Sequence, residues 1–164
     1  MYAGPAHGKG VSRARCIEVP SKWRIEGFGR SYALKTSLGY VAVGSKDPGT
    51  AFPILVGVDP RGKVKWRRGV SDDDGDPVAK ETPKLVDAVG GAVVVAYKLE
   101  AERWRLAALD EATGATRWRR DLGEETHWAA GMTLSDERVY VLLSSTIAVH
   151  DLSTGKELAV LKSR

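Results

Sequence analysis

Four carboxylates surround one glycine in the run Asp72-Asp73-Asp74-Gly75-Asp76. Hard cations such as calcium prefer oxygen ligands in flexible loops, which makes Asp72, Asp74 and Asp76 a candidate calcium site. The run lacks the alternating ligand spacing and the distal glutamate of a complete calcium loop. The spacing therefore favours a solvated acidic connection, and we predict no cofactor.

A second polar group lies at His127 and Trp128, directly after Glu124 and Glu125. These side chains could hydrogen-bond to a ligand and stack against it. No second histidine stands at metal-ligand spacing, so we predict no metal site here, and a packed or surface histidine is the structural alternative. The sequence also has no nucleophile motif and no phosphate-binding glycine loop. We predict that the chain has no catalytic residues and is not an enzyme.

The elements that must position these residues are β-strands. In the stretch LAALDEATGATRW, residues 106–118, two strand-like runs flank a tight turn in which Asp110 can accept backbone hydrogen bonds and Gly114 supplies a positive φ. Weaker copies surround Gly62 and Gly155, so the turn glycines recur at intervals of 52 and 41 residues. Such periods are typical of propeller blades of four strands each.

The repeats divide the chain into an incomplete unit and three complete ones. We expect a single domain, 1–164, made of an incomplete blade at 1–26 and full blades at 27–70, 71–122 and 123–164. The 164 residues and 43% hydrophobic content are sufficient for one buried core. The predicted fold class is all-β, a partial propeller of about three to four four-stranded antiparallel blades.

The spacing Ala108-x-Asp110-x-x-Thr113-Gly114-x-x-x-Trp118 resembles the tryptophan-docking motif of the quinoprotein repeat family, the pyrroloquinoline-quinone-type β-propellers. The resemblance implies that each tryptophan wedges one blade against the next. It assigns structural, blade-docking roles to the following residues: Trp23, Trp66, Asp110, Gly114, Trp118, Asp151 and Gly155. The first full unit departs by a shorter turn and by Gly57 in place of the alanine, and the third has Ala159 in place of the tryptophan.

In such propellers the connections between blades line one face near the axis. This places a predicted ligand-binding or protein-binding face at six residues: Arg30, Asp74, Lys80, Glu125, His127 and Trp128. The resemblance also keeps an alternative open, that the chain is a fragment of a quinone-dependent dehydrogenase. Our first hypothesis is a non-catalytic interaction or scaffold module.

Three full units and a fraction are fewer than the four blades a closed propeller needs. We therefore expect that another copy or another polypeptide completes the ring, or that the natural protein is longer.

The formal charge is +4, but the basic excess lies within the first 30 residues, which argues against a nucleic-acid partner. No apolar run is long enough for a membrane span and no signal peptide is evident, so we expect a soluble protein, cytoplasmic or, if the start is truncated, extracytoplasmic.

Overall fold

A computed structural model describes residues 16–17, 32–45, 53–69, 85–98, 104–122, 129–143 and 145–162. These residues form β-strands joined by turns, and none of them is helical. The strands are β1 (Cys16–Ile17), β2 (Tyr32–Lys35), β3 (Tyr40–Ser45), β4 (Pro53–Val58), β5 (Val64–Gly69), β6 (Leu85–Val89), β7 (Ala92–Lys98), β8 (Trp104–Asp110), β9 (Thr116–Leu122), β10 (Ala129–Leu134), β11 (Arg138–Leu143), β12 (Thr146–Asp151) and β13 (Glu157–Lys162).

The strands form three antiparallel sheets in which sequence neighbours pair in order. We call them the first blade (β1 to β5), the second blade (β6 to β9) and the third blade (β10 to β13). β-Branched residues dominate the central strands, as in Val93-Val94-Val95, because they pack well on a pleated surface. Strands β2, β6 and β10 of successive blades lie next to one another, which makes them the inner strands of a radial array.

The core lies between the blades. Val41, Val43 and Leu55 of the first blade pack with Val93 and Val95 of the second. The opposite face of the second blade packs on the third through a further set: Val94, Ala96, Trp104, Leu106, Val139 and Val141. Because successive residues of a strand point to opposite faces, the second blade contributes one side of each strand to each junction.

The predicted fold class is confirmed, since the described residues form three open sheets with the blade connectivity. The structure adds one element that the sequence does not predict. The two-residue strand β1 pairs antiparallel with β2, so the first sheet has five strands. No helix that could span a bilayer occurs among the described residues.

Candidate functional site

The junction between the first and second blades is built around Trp66, on the outer strand β5. Its indole Nε1 donates a hydrogen bond of 2.8 Å to the carbonyl of Glu111, in the turn between β8 and β9. Gly114 lies under the ring with φ 73°, and a Cβ at that position would come within 2.6 Å of the indole. The glycine thus serves the turn and leaves room for the tryptophan.

The junction between the second and third blades repeats this arrangement with Trp118. Its Nε1 donates to the carbonyl of Leu152 at 2.7 Å, and its side chain is only 7% exposed. Gly155 has φ 69°, and a Cβ there would overlap the indole ring. A buried indole removes a large apolar area from water while its N–H still finds an acceptor.

An arginine two residues after each tryptophan adds a second link to the following blade. Arg68 Nη1 donates to the carbonyl of Gly114 at 2.5 Å. Arg120 Nη2 donates to the carbonyl of Thr154 at 3.1 Å. The outer strands β5 and β9 therefore each hold the turn of the next blade with an indole and a guanidinium, and we call this pair the docking clamp.

Two aspartates shape the turns that receive the clamps. Asp110 Oδ1 accepts from the backbone N–H of Ala112 and Thr113, and Arg117 bonds its other oxygen at 2.8 Å. The Arg117 contact, with that of Thr113, lowers the pKa of Asp110 to about 2. Hydrogen bonds from Ser153 and Thr154 lower the pKa of Asp151 to about 2 in the same way. Both carboxylates stay ionised and hold their turns at neutral pH.

Glu111 is a residue of the blade junction that the sequence does not predict. It is 5% exposed, and its carboxylate accepts hydrogen bonds from Ser37 Oγ at 2.7 Å and from the Leu38 backbone N–H at 2.5 Å. Both donors belong to the turn between β2 and β3, so Glu111 ties the first blade to the second. A glutamate inside a surface turn gives no sign of burial. The one indication in the sequence that this turn position can be buried is the apolar residue Leu152 at the equivalent position of the third blade.

Gly57 departs from the repeat motif for a reason that the structure supplies. It pairs with Trp66 across β4 and β5, and a Cβ there would overlap the indole. A cavity of about 270 Å³ opens beside the ring, with Leu38, Tyr40 and Lys65 among its lining residues. At the second junction Ala108 pairs with Trp118, so an alanine occupies the position beside that indole that Gly57 occupies beside Trp66.

Among the described residues, Asp87 is half-buried and His150 is buried. Asp87, on inner strand β6, accepts a hydrogen bond from the backbone N–H of Ala88, and burial raises the pKa of its carboxyl. His150 is buried, and its Nδ1 lies 3.2 Å from the carbonyl of Gly155. We interpret His150 as a packed strand residue.

The third blade has no docking clamp on its outer strand. Ala159 occupies the tryptophan position and Leu161 the arginine position. Leu142, Ile147 and Leu161 lie opposite one another on three adjacent strands and all three are exposed. We call the surface formed by these three residues, with the exposed Ala159 beside them, the outward face of the third blade.

The residues of the predicted ligand face lie outside the part of the chain that the structure describes. Arg30, Asp74, Lys80, Glu125, His127 and Trp128 all lie outside the described residues, as do Trp23 and the candidate calcium residues Asp72 and Asp76. Within the described ranges no three His, Cys, Asp or Glu side chains form a metal-binding group. The residues that the structure brings together are those of the two clamps: Trp66 with Gly114, and Trp118 with Gly155.

Comparison with known proteins supports the repeat assignment. Residues 102–159 match the family model described as outer membrane protein assembly factor BamB. The solved structure of BamB from Moraxella catarrhalis is 21% identical with a TM-score of 0.53, and the match covers 77% of this chain and 34% of that one. No curated protein matches the sequence significantly.

Two dehydrogenases share the same fold. A europium-containing methanol dehydrogenase is 15% identical with a TM-score of 0.59, and the match covers 94% of this chain and 28% of that one. A quinohemoprotein alcohol dehydrogenase from Comamonas testosteroni is 14% identical with a TM-score of 0.51, and the match covers 80% and 33%. The chain thus spans about a third of the length of these solved structures.

These relatives include an assembly factor and two oxidoreductases, so the fold by itself does not assign an activity. The family match, the three matched structures and the indole-on-turn geometry agree with the motif around Asp110 and Gly114. The chain has the fold of a partial β-propeller, and its residues 102–159 are similar to the pyrroloquinoline-quinone-type repeats of that fold.

Proposed function

We propose that the chain is a non-catalytic scaffold that completes its ring of blades with another copy or another polypeptide and binds a protein or ligand through its loop face. The observation that carries the proposal is the outward face of the third blade. On the second blade, the equivalent residues Ala96 and Leu106 are fully buried by the third blade. On the third blade, Leu142 and Ile147 are 46% and 37% exposed.

An exposed apolar blade face of this kind is expected to contact another protein surface. Burial of apolar surface contributes roughly 25 cal/mol per Å², and exposed apolar patches on folded proteins mark interaction sites. The first and second blades each bury their forward face on the next blade, so a further blade fits the same position on the third. The outward face is therefore the proposed site of ring completion.

A scaffold is preferred over an enzyme because the polar side chains at the two described blade junctions bond the neighbouring blade. Glu111 bonds the neighbouring turn, and the Trp66 and Trp118 indoles bond neighbouring carbonyls. The loop-face residues Arg30, Glu125, His127 and Trp128 remain the proposed ligand-binding or protein-binding set.

Substitution of the outward face tests the proposal. We expect the wild-type chain to form an assembly larger than one chain at micromolar concentration, measured by light scattering after size-exclusion chromatography. Leu142→Glu combined with Ile147→Glu should reduce the assembled fraction, because two carboxylates would be buried in an apolar contact. Val64→Glu, on the outer strand of the first blade, is the matched control. A well-folded, strictly monomeric wild-type chain would contradict completion by another copy.

The alternative is a segment of a quinone-dependent dehydrogenase, favoured by the match of 94% of this chain to the methanol dehydrogenase. Addition of pyrroloquinoline quinone and calcium, followed by a search for a bound chromophore and for dye-linked oxidation of alcohols or sugars, separates the two functions. Activity that Asp74→Ala abolishes would favour the dehydrogenase and overturn the scaffold.

A further inference from the structure

The outer strands of the three blades differ in charge, although they occupy equivalent positions. Strand β5 carries Lys65, Arg67 and Arg68, and β9 carries a similar set: Arg117, Arg119, Arg120 and Asp121. Long charged side chains on an edge strand discourage pairing with another chain. The edges of the first two blades are therefore protected.

Strand β13 lacks this protection. Between Glu157 and Lys162 it reads Leu158-Ala159-Val160-Leu161, without a charge. Leu158, Val160 and Leu161 are 50%, 46% and 53% exposed. Ala148 and Ile147 of β12 pair with Val160 and Leu161, so the exposed side chains lie on both faces of the sheet. Strands that are apolar on both faces are typical of the interior of a sheet.

The outer edge of β13 determines which kind of segment can pair with this strand. In the described residues the third sheet ends at β13, and no strand pairs with its outer edge. Outward-pointing backbone N–H and C=O groups at such an edge are satisfied by an added strand. The added strand must also supply apolar side chains on both faces, and β13 is itself such a strand.

We propose that two copies of this chain pair edge to edge through β13, antiparallel about a two-fold axis at Val160. This register places Val160 opposite Val160 of the second copy. It also forms two symmetry-related pairs in which the small Ala159 of one copy lies opposite the large Leu161 of the other. Directly opposed residues then share a face, as antiparallel pairing requires. The register keeps Glu157 out of the apolar pairs and places Leu158 opposite Lys162 of the second copy, whose aliphatic stem can cover it.

Edge pairing joins two third blades into one eight-stranded sheet and closes on itself, so it yields a dimer and no larger species. It uses the backbone edge of β13, whereas ring completion uses the outward face, and the two contacts share only Ala159 and Leu161. The inference therefore does not rest on the proposed function. The two contacts are separated by variants at Val160 and at Leu142 with Ile147.

Disulfide trapping tests the register. In a Cys16→Ser background, Val160→Cys should form an inter-chain disulfide on mild oxidation, because directly opposed residues have Cα atoms about 4.5 to 5.5 Å apart. Val64→Cys, at an exposed apolar position of outer strand β5, should remain unlinked. Equal cross-linking of both variants would overturn the proposal.

A mass measurement completes the test. Val160→Lys places a charge at the two-fold axis. Added to Leu142→Glu and Ile147→Glu, which remove the outward-face contact, it should lower the remaining dimer fraction at least tenfold, with an unchanged circular dichroism spectrum. Leu142→Glu combined with Ile147→Glu should leave Val160→Cys trapping intact. Dimers that persist unchanged when Val160→Lys is added to these two substitutions, or a monomeric Val160→Cys variant after oxidation, would overturn edge pairing without bearing on the outward face.

Discussion

The two blade junctions use the same clamp in different surroundings. At the second junction Trp118 is almost fully buried, and an apolar residue, Leu152, supplies the acceptor carbonyl. At the first junction Trp66 is only half-buried beside a cavity, and the turn residue is Glu111, whose carboxylate reaches back to the first blade. The comparison teaches that the indole and the turn glycine are the fixed parts of a junction, whereas the neighbouring residue can be apolar or ionic.

The largest effect is expected from removal of the better buried indole. Truncation of a buried tryptophan costs about 3 to 5 kcal/mol, so Trp118→Ala should unfold the chain or lower its free energy of unfolding by that amount. Trp66→Ala should cost less, because its ring is already partly exposed. Urea unfolding of both variants measures the difference. An equal loss for the two would contradict the distinction between the junctions.

Gly57→Ala should break the first junction by excess volume. The added methyl would overlap the Trp66 indole, and overpacking typically costs about 1 to 3 kcal/mol. Gly131→Ala is the control, because a Cβ at Gly131 meets no atom within 4 Å. Thermal denaturation should show a lower melting temperature for Gly57→Ala alone. Equal melting temperatures would mean that Trp66 does not lie on Gly57.

Glu111→Ala tests the ionic part of the first junction. The variant would leave the Ser37 hydroxyl and the Leu38 N–H without their acceptor, at a cost of about 1 to 3 kcal/mol for a part-buried donor. Hydrogen exchange should become faster in the turn between β2 and β3 and remain unchanged in β11 and β12. Glu137→Ala, at an exposed turn position, serves as the control. Unchanged exchange in the β2–β3 turn would remove Glu111 from the junction.

The smallest effect concerns pH and the second junction. The pKa of Asp151 is about 2 in the fold, below the ordinary carboxyl value, so its stabilising contribution is present above about pH 4 and is lost as the pH falls towards 2. Asp151→Asn should therefore show a weaker fall in melting temperature between pH 4 and 2. Exposed Asp136→Asn should follow the wild-type curve. Identical acid curves for Asp151→Asn and the wild type would contradict the turn assignment.

The strands could be predicted from the sequence because local signals coincide at each of them. β-Branched runs such as Val93-Val94-Val95 mark strand interiors, and Gly114 and Gly155 mark the turns, where their φ angles are positive. Strand β1 could not be predicted, because two residues carry no periodicity.

The site was harder to predict than the fold. The burial of Glu111 arises from a turn more than seventy residues earlier in the chain, which no local pattern shows. Gly57 stood out only as a departure from the motif, whereas its contact with Trp66 gives it a steric reason. The predicted loop-face residues, His127 and Trp128 among them, depend on positions outside the described residues and stay predictions.

The direction of the docking clamps has a consequence for biosynthesis. Trp66 and Trp118 each reach forward to a turn that comes later in the sequence. A growing polypeptide therefore leaves the ribosome with each indole uncovered until its acceptor turn has been translated. Folding of the array is expected to advance in steps from the amino terminus, because each docking clamp can form only after the next blade has been translated.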